Sequence, residues 1–260
     1  MKIGDVVSFL NDKFHPEYQE DYDNSGFLVG NLDSECSGVL VALDVTPSVI
    51  DESVNYGFNF IVTHHPMIFG GLKRITTDSE TGRMVYDLIK HDISVYAAHT
   101  NLDNLKEGVN GILAERLRLT DCRILRHVEG NDDVGAGMVG VLPNPMPTDE
   151  FLSQVKQTLG IAVVRTSPIC RQQVRRVALC GGAGSFLIGD AIRAEADIFL
   201  TADLKYHDFQ KAEQRIVLAD IGHYESEQFA KDLIYSVISQ KFSTFACRIS
   251  DSVNSYVRYF

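Results

Sequence analysis

Cysteine is scarce in this 260-residue chain, and its five copies, Cys36, Cys122, Cys170, Cys180 and Cys247, are odd in number and contain no Cys-x-x-Cys pair. This argues against a disulfide framework and a thiolate-rich zinc site, and fits the reduced, mostly buried thiols of a cytoplasmic protein. Positive charge is in deficit too: 24 Lys and Arg against 35 Asp and Glu give a formal charge of −11, with no basic tract. Such a surface repels phosphate backbones, so general nucleic-acid binding is not expected. No apolar run is long enough to cross a bilayer, and the opening Met1-Lys2-Ile3-Gly4-Asp5 turns acidic too soon for a secretory leader. Low-complexity segments and short-period repeats are also absent. What is present, 45% hydrophobic and 23% charged residues, is the composition of a globular protein with a sizeable core. Its length admits one large domain or two lobes, and two lobes are expected.

Apolar residues at helical spacing, Ile3, Val6, Val7 and Leu10, predict a helix over 3–14 that His15-Pro16 ends. A run over 38–44 followed by Thr46-Pro47 predicts a strand and then a capped helix to about Tyr56. The run over 59–63 is a second strand, delivering His64-His65 at its carboxyl end. Then come a helix over 82–91, a strand over 93–98, a loop over 99–103 and a helix over 108–117. The polar stretch 129–137 and the proline cluster at Pro143, Pro145 and Pro147 place a lobe boundary near residue 125. The expected lobes are therefore 1–125, carrying His64, His65 and Asp103, and 126–260, carrying His223 and Glu227, with the last strand able to return to the first lobe. The second half predicts helices over 148–159, up to Ala194 and over 225–239, and strands over 174–180, 196–200, 216–221 and 242–249. Alternating strands and helices define an α/β fold.

Metal-ligand side chains concentrate in four segments: Thr63-His64-His65-Pro66, 99–103, 201–207 and 222–227, which hold five of the eight histidines. Histidine and carboxylate without thiolate suit Zn, Fe, Mn, Ni or Co. Neighbours on a regular strand point to opposite faces, so His64 and His65 must leave the strand or serve different ions. His223 and Glu227 are four apart at a helix start and share a face; Glu225 should point elsewhere. With Asp103 the set counts three His and two carboxylates, more than one catalytic zinc commonly takes. Two divalent ions per chain, about 3.5–4 Å apart, are the economical explanation. Bound metal would then activate water for hydrolysis.

Other chemistry-bearing residues carry blander readings as well. His15, His91 and His127 are read as structural, and Cys180 as a buried thiol. His207 is a neighbour of ligands or a substrate contact rather than a ligand. Gly181-Gly182-Ala183-Gly184-Ser185, between a strand and a helix, offers backbone N–H groups to a phosphate, or is simply a tight turn. No catalytic residue is assigned, although Asp203, Tyr206 and His207 are candidates for proton transfer.

Taken in order, Asp23-Asn24-Ser25-Gly26, Asp44-Val45-Thr46, Thr63-His64-His65-Pro66, His99-Thr100-Asn101-Leu102-Asp103, Cys180-Gly181-Gly182-Ala183-Gly184 and Gly222-His223-Tyr224-Glu225-Ser226-Glu227 resemble the Nif-three-like family, many of whose members are called GTP cyclohydrolase I type 2 homologues. The resemblance runs from about Asp21 to Phe229. It implies a two-lobed, three-layer αβα fold with mixed sheets and a toroidal homohexamer. It also implies a dinuclear metal site between the lobes, with His64, His65, Asp103, His223 and Glu227 as ligands. Ser226 stands where the family commonly has Thr, and the long central insertion of larger members is missing. The function implied is a metal-dependent hydrolase of a nucleotide-like or phosphorylated small molecule. The competing reading is a non-catalytic metal-handling, metallochaperone or regulatory binding protein.

Overall fold

The computed structural model describes residues 1–252 and 255–259. In chain order the strands are β1 (Gly26–Val29), β2 (Val39–Ala42), β3 (Phe60–Thr63), β4 (Ser94–Ala97), β5 (Thr120–Val128), β6 (Asn131–Pro147), β7 (Arg165–Thr166), β8 (Gln173–Ala183), β9 (Ile198–Ala202), β10 (Val217–Asp220) and β11 (Cys247–Ile249). They form two mixed sheets in two compact units, Met1–Leu102 with Ala230–Tyr256, and Asp103–Phe229 with residues from Val257 onward.

The first unit orders its strands β1-β4-β3-β2-β11. β4, β3, β2 and β11 run parallel, and β1 closes one edge antiparallel to β4. Every residue of β2, β3 and β4 is buried, as befits parallel strands whose sequences are apolar without alternation. Leu40, Ala42, Ile61 and Val95 of these strands pack with Val49, Ile50, Met84 and Leu88 of the connecting helices. Helix Pro47–Tyr56 begins as predicted: Thr46 Oγ1 accepts from Val49 N, Pro47 takes the first turn, and Gly57 ends it at φ +68°. Residues 99–103, expected as a loop, contain a helical turn, Thr100–Asp103. Asn101 explains the turn, since its Oδ1 accepts from His99 N while its Nδ2 donates to the Phe14 carbonyl.

The second unit orders its strands β5-β6-β8-β9-β10-β7. Here β8, β9 and β10 are parallel, and β5, β6 and β7 are attached antiparallel. Asp103 belongs to this unit, and the position near 125 expected as a lobe boundary falls inside β5. The polar and proline-rich stretches read as boundary signals instead lie in β6. Gly130, at φ +82°, turns the chain from β5 into β6, and Pro143 and Pro145 are exposed where the β6–β8 register slips between Val141 and Met146. A proline removes a ladder hydrogen bond, so it is tolerated at such an irregularity. β11 pairs with β2 in the first unit.

Candidate metal centre

In the first unit, His64 and His65 follow β3 directly. The ladder with β4 ends at Thr63, whose hydroxyl donates to the His65 carbonyl, while His65 N donates to the Leu43 carbonyl. These bonds turn the chain out of the strand and bring the two rings to centroids 4.9 Å apart, where strand alternation would have separated them. His64 is fully buried, and its Nδ1 lies 2.7 Å from the Ala98 carbonyl. A carbonyl only accepts, so Nδ1 carries the proton and Nε2 keeps its lone pair. His65 repeats the arrangement with Asp44 Oδ1 at 2.8 Å, and His99 with Asp23 Oδ1 at 2.7 Å. Asp44 stands just after β2 and His99 just after β4, so the two parallel strands that flank β3 deliver both at their carboxyl ends.

In the second unit, helix His223–Glu227 places His223 and Glu227 on one face, with His223 Nε2 3.0 Å from Glu227 Oε2. That is about the span of two ligand atoms on one ion with bonds of about 2.0–2.2 Å. His223 Nδ1 lies 2.8 Å from Asp203 Oδ2, and Asp203 takes a left-handed φ of +56° just after β9. Glu227 is buried. The Ser226 hydroxyl accepts from Gly182 N at 3.0 Å and donates to the His223 carbonyl at 2.8 Å, fastening the helix to β8. Asp103 is tied in through Asn110, which donates to the Asp103 carbonyl and accepts from Gly181 N. Burial pushes the Cys180 thiol up, and the charges of Asp103 and Glu227 push it further, so both carboxylates lie near one buried sulfur.

The Glu225 carboxylate lies against Gly222. Gly222 provides the room for it, since a Cβ there would sit 2.1 Å from Glu225 Oε2. The Tyr259 hydroxyl, pushed up by its burial and by the charge of Glu225, lies on that side. His207 is exposed on helix Tyr206–Gln210, with Nδ1 3.3 Å from Gln210 Oε1; it is Asp203 that holds His223. Gly181 and Gly182 lie within β8, which runs on to pair Ala183 with Ala202, so no open turn begins at Gly181. Gly181, Gly182 and Gly184 donate their N–H groups to Asn110 Oδ1, Ser226 Oγ and Thr201 Oγ1. Sequence reasoning assigned no role to Asp23 or Asp44, placed His99 in a metal-ligand segment but outside the ligand set, and did not pair Asp203 with His223. Asp44, His99 and Asp203 share one signal, a carboxylate or imidazole within two residues of the carboxyl end of a strand.

The donor chemistry fits a metal ion. A histidine ligand must be oriented with its free nitrogen toward the ion, and an acceptor on Nδ1 fixes both the ring and the tautomer. A His/Glu group among the described residues, which includes His64 and His65, could hold one. Among the described residues, no helix is long and apolar enough to cross a membrane.

Thiol reactivity gives a direct check on the packing around the second unit's carboxylates. Cys36 and Cys247 are each pushed up to about 11 by burial, and Cys180 is raised as well. At pH 8 a thiol reagent should leave these three unmodified in the native protein and reach them only on unfolding. Rapid native labelling of Cys180, read by peptide mass spectrometry, would contradict its burial.

Residues 1–254 match the sequence profile of the Duf34/NIF3 (NGG1p interacting factor 3) family, and the chain belongs to that family. A GTP cyclohydrolase 1 type 2 homolog of Clostridium perfringens is 34% identical over 230 residues, 87% of each chain. Another, from Campylobacter jejuni, is 33% identical over 242 residues, 90% of this chain and 92% of its own. Among solved structures, a hypothetical protein of Staphylococcus aureus superposes with a TM-score of 0.92 at 28% identity, covering 100% of this chain and 99% of its own. Reduced HcgD from Methanocaldococcus jannaschii gives 0.82 at 28% identity, covering 97% and 98%.

Proposed function

We propose that His64, His65, Asp103, His223 and Glu227 together hold two divalent ions, and that the protein is a metal-dependent hydrolase of a nucleotide-like small molecule. The observation that carries the reading is shared by all three histidines: each has Nδ1 against a carbonyl or carboxylate oxygen. Asp103 and Glu227 supply the negative charge that two cations require, and both raise the neighbouring Cys180 thiol. Bound ions would supply Lewis-acid activation of water. The chain's own residues orient the donors: Ala98, Asp44 and Asp203 fix the three rings, and Gly182 leaves room for the Glu227 carboxylate. The relatives' name suggests a purine nucleotide as substrate. In this reading the protein works in the cytoplasm as a homohexamer, as the family resemblance implies.

The test is elemental analysis of protein purified without added metal or chelator, expected to show about two ions per chain. Glu227→Ala should lose most of that metal while far-ultraviolet circular dichroism stays unchanged, and Glu225→Ala should keep all of it. Equal retention in both variants would sink the ligand assignment. Metal-dependent turnover in a nucleotide screen, absent from His223→Ala, would establish hydrolysis. Two ions without turnover would favour metal handling.

A further inference from the structure

His99 repeats the geometry of the proposed ligands without belonging to their set. Its Nδ1 lies 2.7 Å from Asp23, a carboxylate with no exposed side-chain surface, and its ring centroid is 5.4 Å from that of His64 and 5.6 Å from that of His65. With Nδ1 donating to Asp23, Nε2 is the ring atom left to face a ligand, an acceptor in this tautomer, and the side chain remains 15% exposed. On the same side of the unit, Phe69 meets His99 edge-on at 5.9 Å and stacks on Tyr22 at 6.3 Å. Both aromatics are largely exposed, at 51% and 63%. An exposed aromatic stack beside a fixed hydrogen-bond acceptor suits a flat ring that carries its own N–H donor.

We propose that His99, with Tyr22 and Phe69, forms the recognition wall for a planar heterocycle bearing a ring N–H. This rests on the metal-site reading above and specifies what lies next to the ions. His99 is the group that touches the ligand, through a hydrogen bond accepted at Nε2. Asp23 is a positioning residue that acts through His99. Asp23 backs His99, so this contact reads the heterocycle rather than a phosphate.

The test uses zinc-loaded full-length protein and calorimetric titration with guanosine and uridine, each paired with its N-blocked form, 1-methylguanosine and 3-methyluridine. Zinc content is read on the same samples. Wild type should bind at least one parent nucleoside about tenfold more tightly than its methylated partner, the worth of one net hydrogen bond. His99→Ala and Asp23→Asn should erase that preference, while His99→Gln, which keeps an acceptor, should retain part of it. Tyr22→Ala and Phe69→Ala should weaken parent and methylated forms alike, by about tenfold. All variants should keep their zinc. Wild type without zinc would refute the metal-site reading, and this inference with it. Zinc-loaded wild type that binds none of the four, or binds methylated and parent forms equally, would overturn the recognition wall alone. Loss of zinc in His99→Ala would make His99 a ligand and overturn its role as a substrate contact.

Discussion

Gly182→Ala is expected to remove metal binding from the second unit's donors at a modest cost in stability. Gly182 sits in β8 at φ +60°, a left-handed conformation that costs an alanine about 1–2 kcal/mol. The larger effect is steric. A Cβ there would lie 2.1 Å from Glu227 Oε1, 3.1 Å from its carboxyl carbon and 3.3 Å from His223 Cε1. The carboxylate can swing away, but the swing takes it out of ligand position, so metal affinity should fall at least about 100-fold, the upper range for disturbing a ligand's surroundings. Gly160 supplies the control. It ends helix Thr148–Leu159 at φ +69°, and a Cβ there meets nothing within 4 Å. Gly160→Ala should show a comparable loss in midpoint of denaturation with metal content intact. If calorimetric zinc titration gave the two variants the same affinity, the cradle role of Gly182 would be wrong.

The same glycine shows why part of the site was legible in the chain and part was not. His223 and Glu227 could be paired, and Glu225 set aside, because a helix repeats every 3.6 residues and the argument needs only local geometry. The strands that carry His64 and His99 announce themselves as largely apolar runs without alternation, since parallel strands are buried on both faces. β5 carries no such signal because most of its residues are exposed. The partners that orient the rings were hidden for a different reason. Asp44, Asp203 and Asp23 lie 21, 20 and 76 positions from the histidines they hold, and nothing local links them. Gly181 to Gly184 read equally well as a phosphate turn or a packing device. Which it is depends on where Asn110, Thr201 and Ser226 stand, and that is a tertiary fact.

Asp23→Ala should be the most destabilising single substitution near the first unit's histidines, by about 3–5 kcal/mol. Its carboxylate accepts from Asn24 N at 2.7 Å, Ser25 Oγ at 2.9 Å, His99 Nδ1 at 2.7 Å and Thr100 N at 3.0 Å, and also from the Thr100 hydroxyl. Alanine would leave those donors around an empty site with no acceptor, and each buried orphan costs about 1–3 kcal/mol. Against a typical total of about 5–15 kcal/mol, the loss is a large fraction. The pH dependence separates this account from simple loss of packing. Burial alone would push the Asp23 carboxyl up, but hydrogen bonds from His99, Thr100 and the Asn24 N–H outweigh it and hold the group well below the usual carboxylate range. The folded-state value therefore lies below the unfolded one, near 3.9. A group shifted this way contributes stability that is fully present above the unfolded value and is lost as pH falls through the folded one. The gap between wild type and Asp23→Ala should thus be constant from about pH 5 to pH 8 and narrow below about pH 4. Urea titrations at several pH values measure it, and a gap that stayed constant down to pH 3 would assign the effect to packing rather than to the ionised carboxylate.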